Sequence, residues 1–62
     1  MKKRRYLAFW DDGHDVGEFI FYSFHRANSK QNLEDAYHEF RNTRGRSLAS
    51  KVTITSTMLY EY

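Results

Sequence analysis

The feature that most constrains the fold is that one segment has helical periodicity. Its apolar residues recur at positions i, i+3, i+4 and i+7, namely Leu33, Ala36, Tyr37 and Phe40. Asn28 or Ser29 can cap its start, and Asn28 with Gln31 has capping-box spacing. Gly45 supplies a C-terminal stop. The pattern predicts a helix over 29–44 with a single apolar stripe.

Three other segments alternate as strands do. They cover residues 4–10, 17–26 and 50–60, and the chain has no proline to interrupt them. A turn cluster with Gly13 separates the first two. We therefore predict one α+β domain over 1–62, with a basic arm at 1–4 and the element order ββαβ. The helix returns the chain so that the sheet is antiparallel with strand order 2-1-3, and the helix packs on one face.

The size of the chain limits how it can be stabilised. A domain of 62 residues buries a small share of its unfolded surface, and without cysteine it has neither disulfides nor thiolate metal sites. Aromatic residues make up 18% of the chain. Dense aromatic packing and oligomerisation are therefore the two routes to stability that remain.

One helix covers one face of a three-stranded sheet, yet both faces of these strands are apolar. We expect the helix to pack on Leu7, Phe9, Phe19, Phe21, Val52, Ile54 and Met58. Alternation then leaves Tyr6, Trp10, Ile20, Tyr22 and Phe24 on the uncovered face. Each large aromatic side chain can bury roughly 150–250 Å², so three or four of them together can exceed the apolar patch of roughly 300–600 Å² on an ordinary monomer. The alternative is that sheet twist or the chain's own loops cover it.

An uncovered aromatic face predicts a binding partner. The expected binding residues are Tyr6, Trp10, Ile20, Tyr22, Phe24 and Arg26, because Trp, Tyr and Arg dominate binding hot spots. The partner is a second copy, an unknown protein, or both. A second copy could stack on the face or extend the sheet at an edge, for which the uncharged strand 52–60 is a candidate. The predicted function is a homodimeric interaction module that acts as a regulator, adaptor or inhibitor.

Single-stranded nucleic acid is the alternative partner. Exposed aromatic side chains on a sheet can stack bases while basic neighbours hold phosphates. The residues for this are Lys2, Lys3, Arg4, Arg5, Tyr6, Trp10, Tyr22 and Arg26. The net charge of +2 does not by itself favour it. Residues 6–62 hold six basic and eight acidic side chains, so the basic excess lies in the arm.

No pattern of catalytic or metal-binding residues emerges. The acidic cluster Asp11, Asp12, His14 and Asp15 lacks the spacing of a calcium loop. His14, His25 and His38 are scattered, and no nucleophile or phosphate-loop motif occurs. We therefore predict no catalytic residues, no metal site, no cofactor and no enzymatic activity.

The lengths of the apolar segments indicate where in the cell the protein is expected. No stretch approaches the roughly 18 apolar residues of a membrane span. The apolar segment after the basic arm ends at Asp11, which is too short for a signal peptide. We expect a cytoplasmic protein without membrane contact. In size and composition the chain resembles small phage or mobile-element proteins, but no motif carries that resemblance, so it implies no site residues.

Overall fold

The computed structural model describes residues 2–61. Within them lie three strands and two helices: β1 (Arg4–Asp11), β2 (Val16–Ser23), α1 (Lys30–Arg44), α2 (Arg46–Ala49) and β3 (Thr53–Leu59). The strands form an antiparallel sheet in the order β2-β1-β3, and α1 packs on it. The predicted fold class and strand order are confirmed. The short helix α2, which joins α1 to β3, was not predicted.

The turn between β1 and β2 sets the pairing of these strands. The Asp12 N–H donates to the Asp15 carbonyl at 3.1 Å, and Gly13 has a φ of 92° that favours glycine. The Asp12 carboxylate accepts from the backbone N–H groups of His14 and Asp15. This turn places Asp11 opposite Val16, so Tyr6 lies opposite Phe21. Opposite residues share a face, and Tyr6 therefore lies on the same face as Phe21.

Helix α1 is capped by Ser29, which confirms one of the two predicted caps, and not by Asn28. The Ser29 side chain accepts from the Asn32 N–H at 3.2 Å, so the predicted pairing of Asn28 with Gln31 is wrong. Asn28 instead adopts a φ of 65°. The helix ends at Arg44 and is capped by Gly45, whose N–H donates to the Arg41 carbonyl. The predicted C-terminal stop at Gly45 is confirmed.

A bulge interrupts the alternation of β3. Phe9 lies opposite Ser56 while Trp10 lies opposite Ile54, which leaves Thr55 as the extra residue. Ile54 and Thr57 both point to the helix side and are buried in consequence. Met58 then points to the other face and is 47% exposed. The prediction that Met58 packs under the helix is wrong for this reason.

The core lies between α1 and the sheet. Its buried apolar residues are Tyr6, Ala8, Phe21, Ala36, Phe40, Val52 and Ile54. Ring centroids lie 5.6 Å apart for both Tyr6–Phe21 and Phe19–Phe40, and 5.9 Å for Trp10–Phe40. Helix-side positions are confirmed for Phe19, Phe21, Val52 and Ile54. Those of Leu7 and Phe9 are wrong, because the hairpin pairing turns them to the other face.

Candidate protein-interaction surface

The face of the sheet away from α1 is apolar and accessible. We call it the open face and define it by Leu7, Phe9, Ile20, Tyr22, Met58 and Tyr60, with Phe24 just beyond the end of β2. Leu7 lies between Ile20 and Met58 across the three strands, which forms an apolar row. Tyr22 is 56% exposed and Phe24 50% exposed. The uncovered positions predicted for Ile20 and Tyr22 are confirmed, and Phe24 is exposed as expected.

Two predicted members of the open face lie on the opposite side. Tyr6 is 4% exposed and stacks on Phe21, so its predicted position is wrong. Trp10 packs against Phe40. Its indole also lies close over Gly17, where an added Cβ atom would lie 2.7 Å from Trp10 Nε1. Hairpin pairing puts both in the helix-side layer. Trp10 Nε1 is buried with no hydrogen-bond partner among residues 2–61.

One end of the open face is both basic and aromatic. The Lys3 amino group lies 5.5 Å from the centre of the Phe24 ring, and the Arg5 guanidinium lies 5.4 Å from that of Tyr60. Arg5 Nε also donates to the Tyr60 carbonyl at 2.8 Å. Lys3, Arg5 and Tyr22, all proposed for nucleic acid, are therefore brought together, whereas Tyr6 and Trp10 are not.

The remaining basic residues of the prediction lie elsewhere. Arg4 pairs with Glu61, with Nη2 and Oε2 3.2 Å apart. This exposed pair raises the pKa of Arg4 and lowers the pKa of Glu61, and a hydrogen bond between the two side chains is the main cause of both shifts. Lys2 is exposed. Arg26 is exposed in the turn before α1, where its carbonyl accepts from the Ser29 hydroxyl at 2.7 Å.

The outer edge of β3 is capped by side chains. The Tyr37 hydroxyl accepts from the Ile54 N–H at 2.9 Å and donates to the Val52 carbonyl at 3.4 Å. Further along, Asn28 Oδ1 accepts from the Thr57 N–H at 2.7 Å, and the Asn28 N–H donates to Thr57 Oγ1 at 2.8 Å. The first three of these bonds occupy backbone groups that another strand would need. They disfavour pairing of a second copy at the edge of β3, which stays a prediction.

A buried polar network holds this cap in place. Asn32 is fully buried, and its Oδ1 accepts from the Thr57 hydroxyl at 2.6 Å. Its Nδ2 donates to the His25 carbonyl at 2.9 Å. Beside it, the buried Ser23 hydroxyl donates to Asp35 at 2.6 Å. Sequence reasoning missed Asn32, although it shares a helix face with Ala36 and Phe40 at intervals of four residues.

The outer edge of β2 has no such cap. Within residues 2–61, no side chain or loop forms a hydrogen bond to the backbone of residues 16–22 on the side away from β1. Glu18 is the one charged residue of this eight-residue strand. Val16 is 76% exposed and Ile20 37%. A long, uncapped and mostly apolar edge can pair with another strand.

Away from these surfaces, the described part of the chain also contains a cleft. This cleft of about 750 Å³ lies between α1 and α2, lined by Glu34, Tyr37, His38, Arg41, Arg46, Ala49 and Ser50. Among residues 2–61, no group of three His, Cys, Asp or Glu side chains is placed to hold a metal ion. Over the same residues, no helix has the length and apolar character needed to cross a membrane.

Comparison with known proteins adds no relatives. No protein-family model matches the chain, and neither the curated proteins nor the solved structures give a significant match. Function must therefore be inferred from the residues of the chain itself.

Proposed function

We propose that this protein is a non-enzymatic, cytoplasmic interaction module that works as a homodimer and binds through its open face. The observation that carries the proposal is the exposure of large apolar side chains on one side of the sheet. Ile20, Tyr22, Phe24, Met58 and Tyr60 are each between 37% and 56% exposed. Monomeric proteins rarely expose large apolar side chains in one continuous patch.

The arrangement of the open face suits protein binding. The row formed by Ile20, Leu7 and Met58 is aliphatic, and Tyr22 lies beside it, next to Arg5. Burying one such side chain contributes roughly 1.5–3 kcal/mol. Tyrosine and arginine are the residue types that anchor interfaces, because they combine a large apolar area with polar ends. The revised binding set therefore leaves out Tyr6, Trp10 and Arg26, which lie elsewhere, and adds Leu7, Met58 and Tyr60.

Self-association is tested by sedimentation equilibrium at micromolar concentrations. We expect a mass twice the 7.5 kDa of the chain. Tyr22→Ala should weaken the dimer about tenfold or more, because it removes an interface anchor while leaving the core intact. Leu48→Ala is the matched control, since Leu48 is 51% exposed on α2, away from the open face. A chain that stays monomeric at all concentrations would contradict the proposal.

Single-stranded nucleic acid is the second candidate, and the basic end of the open face favours it. Lys3 lies over Phe24, and Arg5 lies over Tyr60 and opposite Tyr22, so cations and accessible rings occur together. Anisotropy of a labelled oligonucleotide should then rise with protein and fall with salt. Lys3→Ala should weaken that binding, whereas Lys51→Ala, on the turn before β3, should not. No binding at low salt excludes this candidate.

A further inference from the structure

We infer that two copies join through the outer edges of β2, so that their sheets become one antiparallel sheet of six strands. This inference rests on the proposed homodimer and names the surface that forms it. The two sheet edges differ in a way that selects β2. Tyr37 and Asn28 occupy backbone groups of β3, whereas the backbone of β2 between Val16 and Tyr22 has no such cap within residues 2–61.

The occupant of this edge is a second copy because β2 is complementary to itself. Two identical strands related by a two-fold axis pair antiparallel, which requires no other sequence. Glu18 is the one charge on β2, and it lies near one end of the strand. An antiparallel arrangement keeps the two Glu18 side chains apart, provided that the strands do not centre on that residue.

The alternation of the strand restricts the pairing further. Opposite residues must point to the same side of the sheet, so a residue can lie opposite its own copy but not opposite the copy of its neighbour in sequence. The two-fold axis therefore passes between two copies of one residue. Centring on Ile20 overlaps nearly all of β2 and places Ile20 opposite the partner's Ile20. Glu18 then lies opposite the partner's Tyr22, whose hydroxyl can donate to the carboxylate. Both residues are on the open side and exposed in the monomer.

Such pairing would also enlarge the binding surface. In this arrangement the helices of both copies lie on one side of the joined sheet and both open faces lie on the other. The apolar row of Ile20, Leu7 and Met58 would continue across the two-fold axis into the same row of the partner. The open face therefore stays accessible for a further protein, which a dimer formed by stacking two open faces would not allow.

Single-cysteine variants test the pairing directly, because the natural chain contains no cysteine. Opposite side chains in an antiparallel pair have Cβ atoms about 4.5–5.5 Å apart. Ile20→Cys should therefore be joined to a second copy by a short bismaleimide. Met58→Cys is the matched control: it is on the same face and is 47% exposed, but it lies on β3. It should not crosslink at concentrations that crosslink Ile20→Cys.

A second pair of variants tests the register at exposed positions. Glu18→Cys and Tyr22→Cys should crosslink when mixed, and each should do so far less alone, because each lies opposite the other. Circular dichroism and sedimentation would first check that every variant is folded and dimeric, at a protein concentration high enough to offset the weaker dimer expected of Tyr22→Cys. A dimer in which Met58→Cys crosslinks, or in which neither Ile20→Cys nor the mixture does, overturns the edge pairing but leaves the proposed function standing. A chain that is monomeric by sedimentation overturns both.

Discussion

The two outer edges of this sheet are chemically different. At β3, Tyr37 and Asn28 hydrogen-bond to the backbone groups that face away from β1, and the buried Asn32 supports them through Thr57. At β2, the described residues provide no such groups, and Val16 and Ile20 are exposed beside the edge. The difference shows that a small protein can protect one edge with side chains from its own helix and loop while the other edge remains able to pair.

The largest effect is expected from removing the support of the β3 cap. Asn32→Ala takes away a fully buried amide, which leaves the Thr57 hydroxyl without its acceptor and the His25 carbonyl without the Asn32 donor. The free energy of unfolding should fall by about 2–3 kcal/mol, measured by urea denaturation. Gln31→Ala, one residue earlier and exposed, should change it by less than about 0.5 kcal/mol. Equal effects would show that the network does not stabilise this edge.

The next effect concerns the start of β2. Gly17→Ala introduces a Cβ where the Trp10 indole lies, so the indole must shift, and we expect a loss of about 2 kcal/mol. The displacement should also change Trp10 fluorescence. Val16→Ala, at a position that is 76% exposed, serves as the control and should have little effect. If Gly17→Ala weakens dimerisation while the free energy of unfolding of the chain stays unchanged, the assignment of Trp10 to the helix side is contradicted.

A smaller effect is expected from removing the Tyr37 hydroxyl, which caps the edge of β3, while retaining the Tyr37 ring. Tyr37→Phe leaves the Ile54 N–H and the Val52 carbonyl without the hydroxyl, so stability should fall by about 1 kcal/mol. Tyr22→Phe, compared at a dilution where the chain is monomeric, should leave stability unchanged. Tyr37→Phe should also increase association at high concentration, because the edge of β3 is then less protected. Unchanged stability and association would show that this hydroxyl does not cap the edge.

The smallest effect is a pH dependence in the hairpin that positions β2. Hydrogen bonds from the Asp15 and His14 backbone N–H groups lower the pKa of Asp12. A lowered pKa in the folded state means that the carboxylate stabilises the fold above its ordinary pKa. This contribution is lost as the pH falls below about 4. The difference in urea midpoint between the natural chain and Asp12→Ala should therefore shrink between neutral pH and pH values below 4, and a constant difference would contradict this.

The sequence was sufficient for the fold class, because helical and strand periodicities act locally. It was sufficient for the strand order because the helix returns the chain to the starting end of the sheet. Which face each residue occupies was harder to predict. The hairpin turn pairs Tyr6 with Phe21, so the side assigned to Leu7 and Phe9 was reversed. The bulge at Thr55 turns Met58 to the open face, and no local residue pattern predicts that bulge.

The edge caps could not be predicted for a related reason. Tyr37 appeared as one member of the apolar stripe, and its ring does lie near the core, but its hydroxyl reaches the backbone of β3. Asn28 appeared as a helix cap, yet it bonds to Thr57, which is 29 residues away. Such contacts depend on how the helix and the sheet meet, which local periodicity does not describe.

Amide hydrogen exchange as a function of protein concentration tests the difference between the edges most directly. The Ile54 and Thr57 amides should exchange slowly at every concentration, because Tyr37 and Asn28 accept from them within one chain. Outward-facing amides between Val16 and Tyr22 should exchange rapidly in dilute solution and become protected as dimers form. Protection of the β2 amides at high dilution, or rapid exchange at Ile54 and Thr57, would contradict the account.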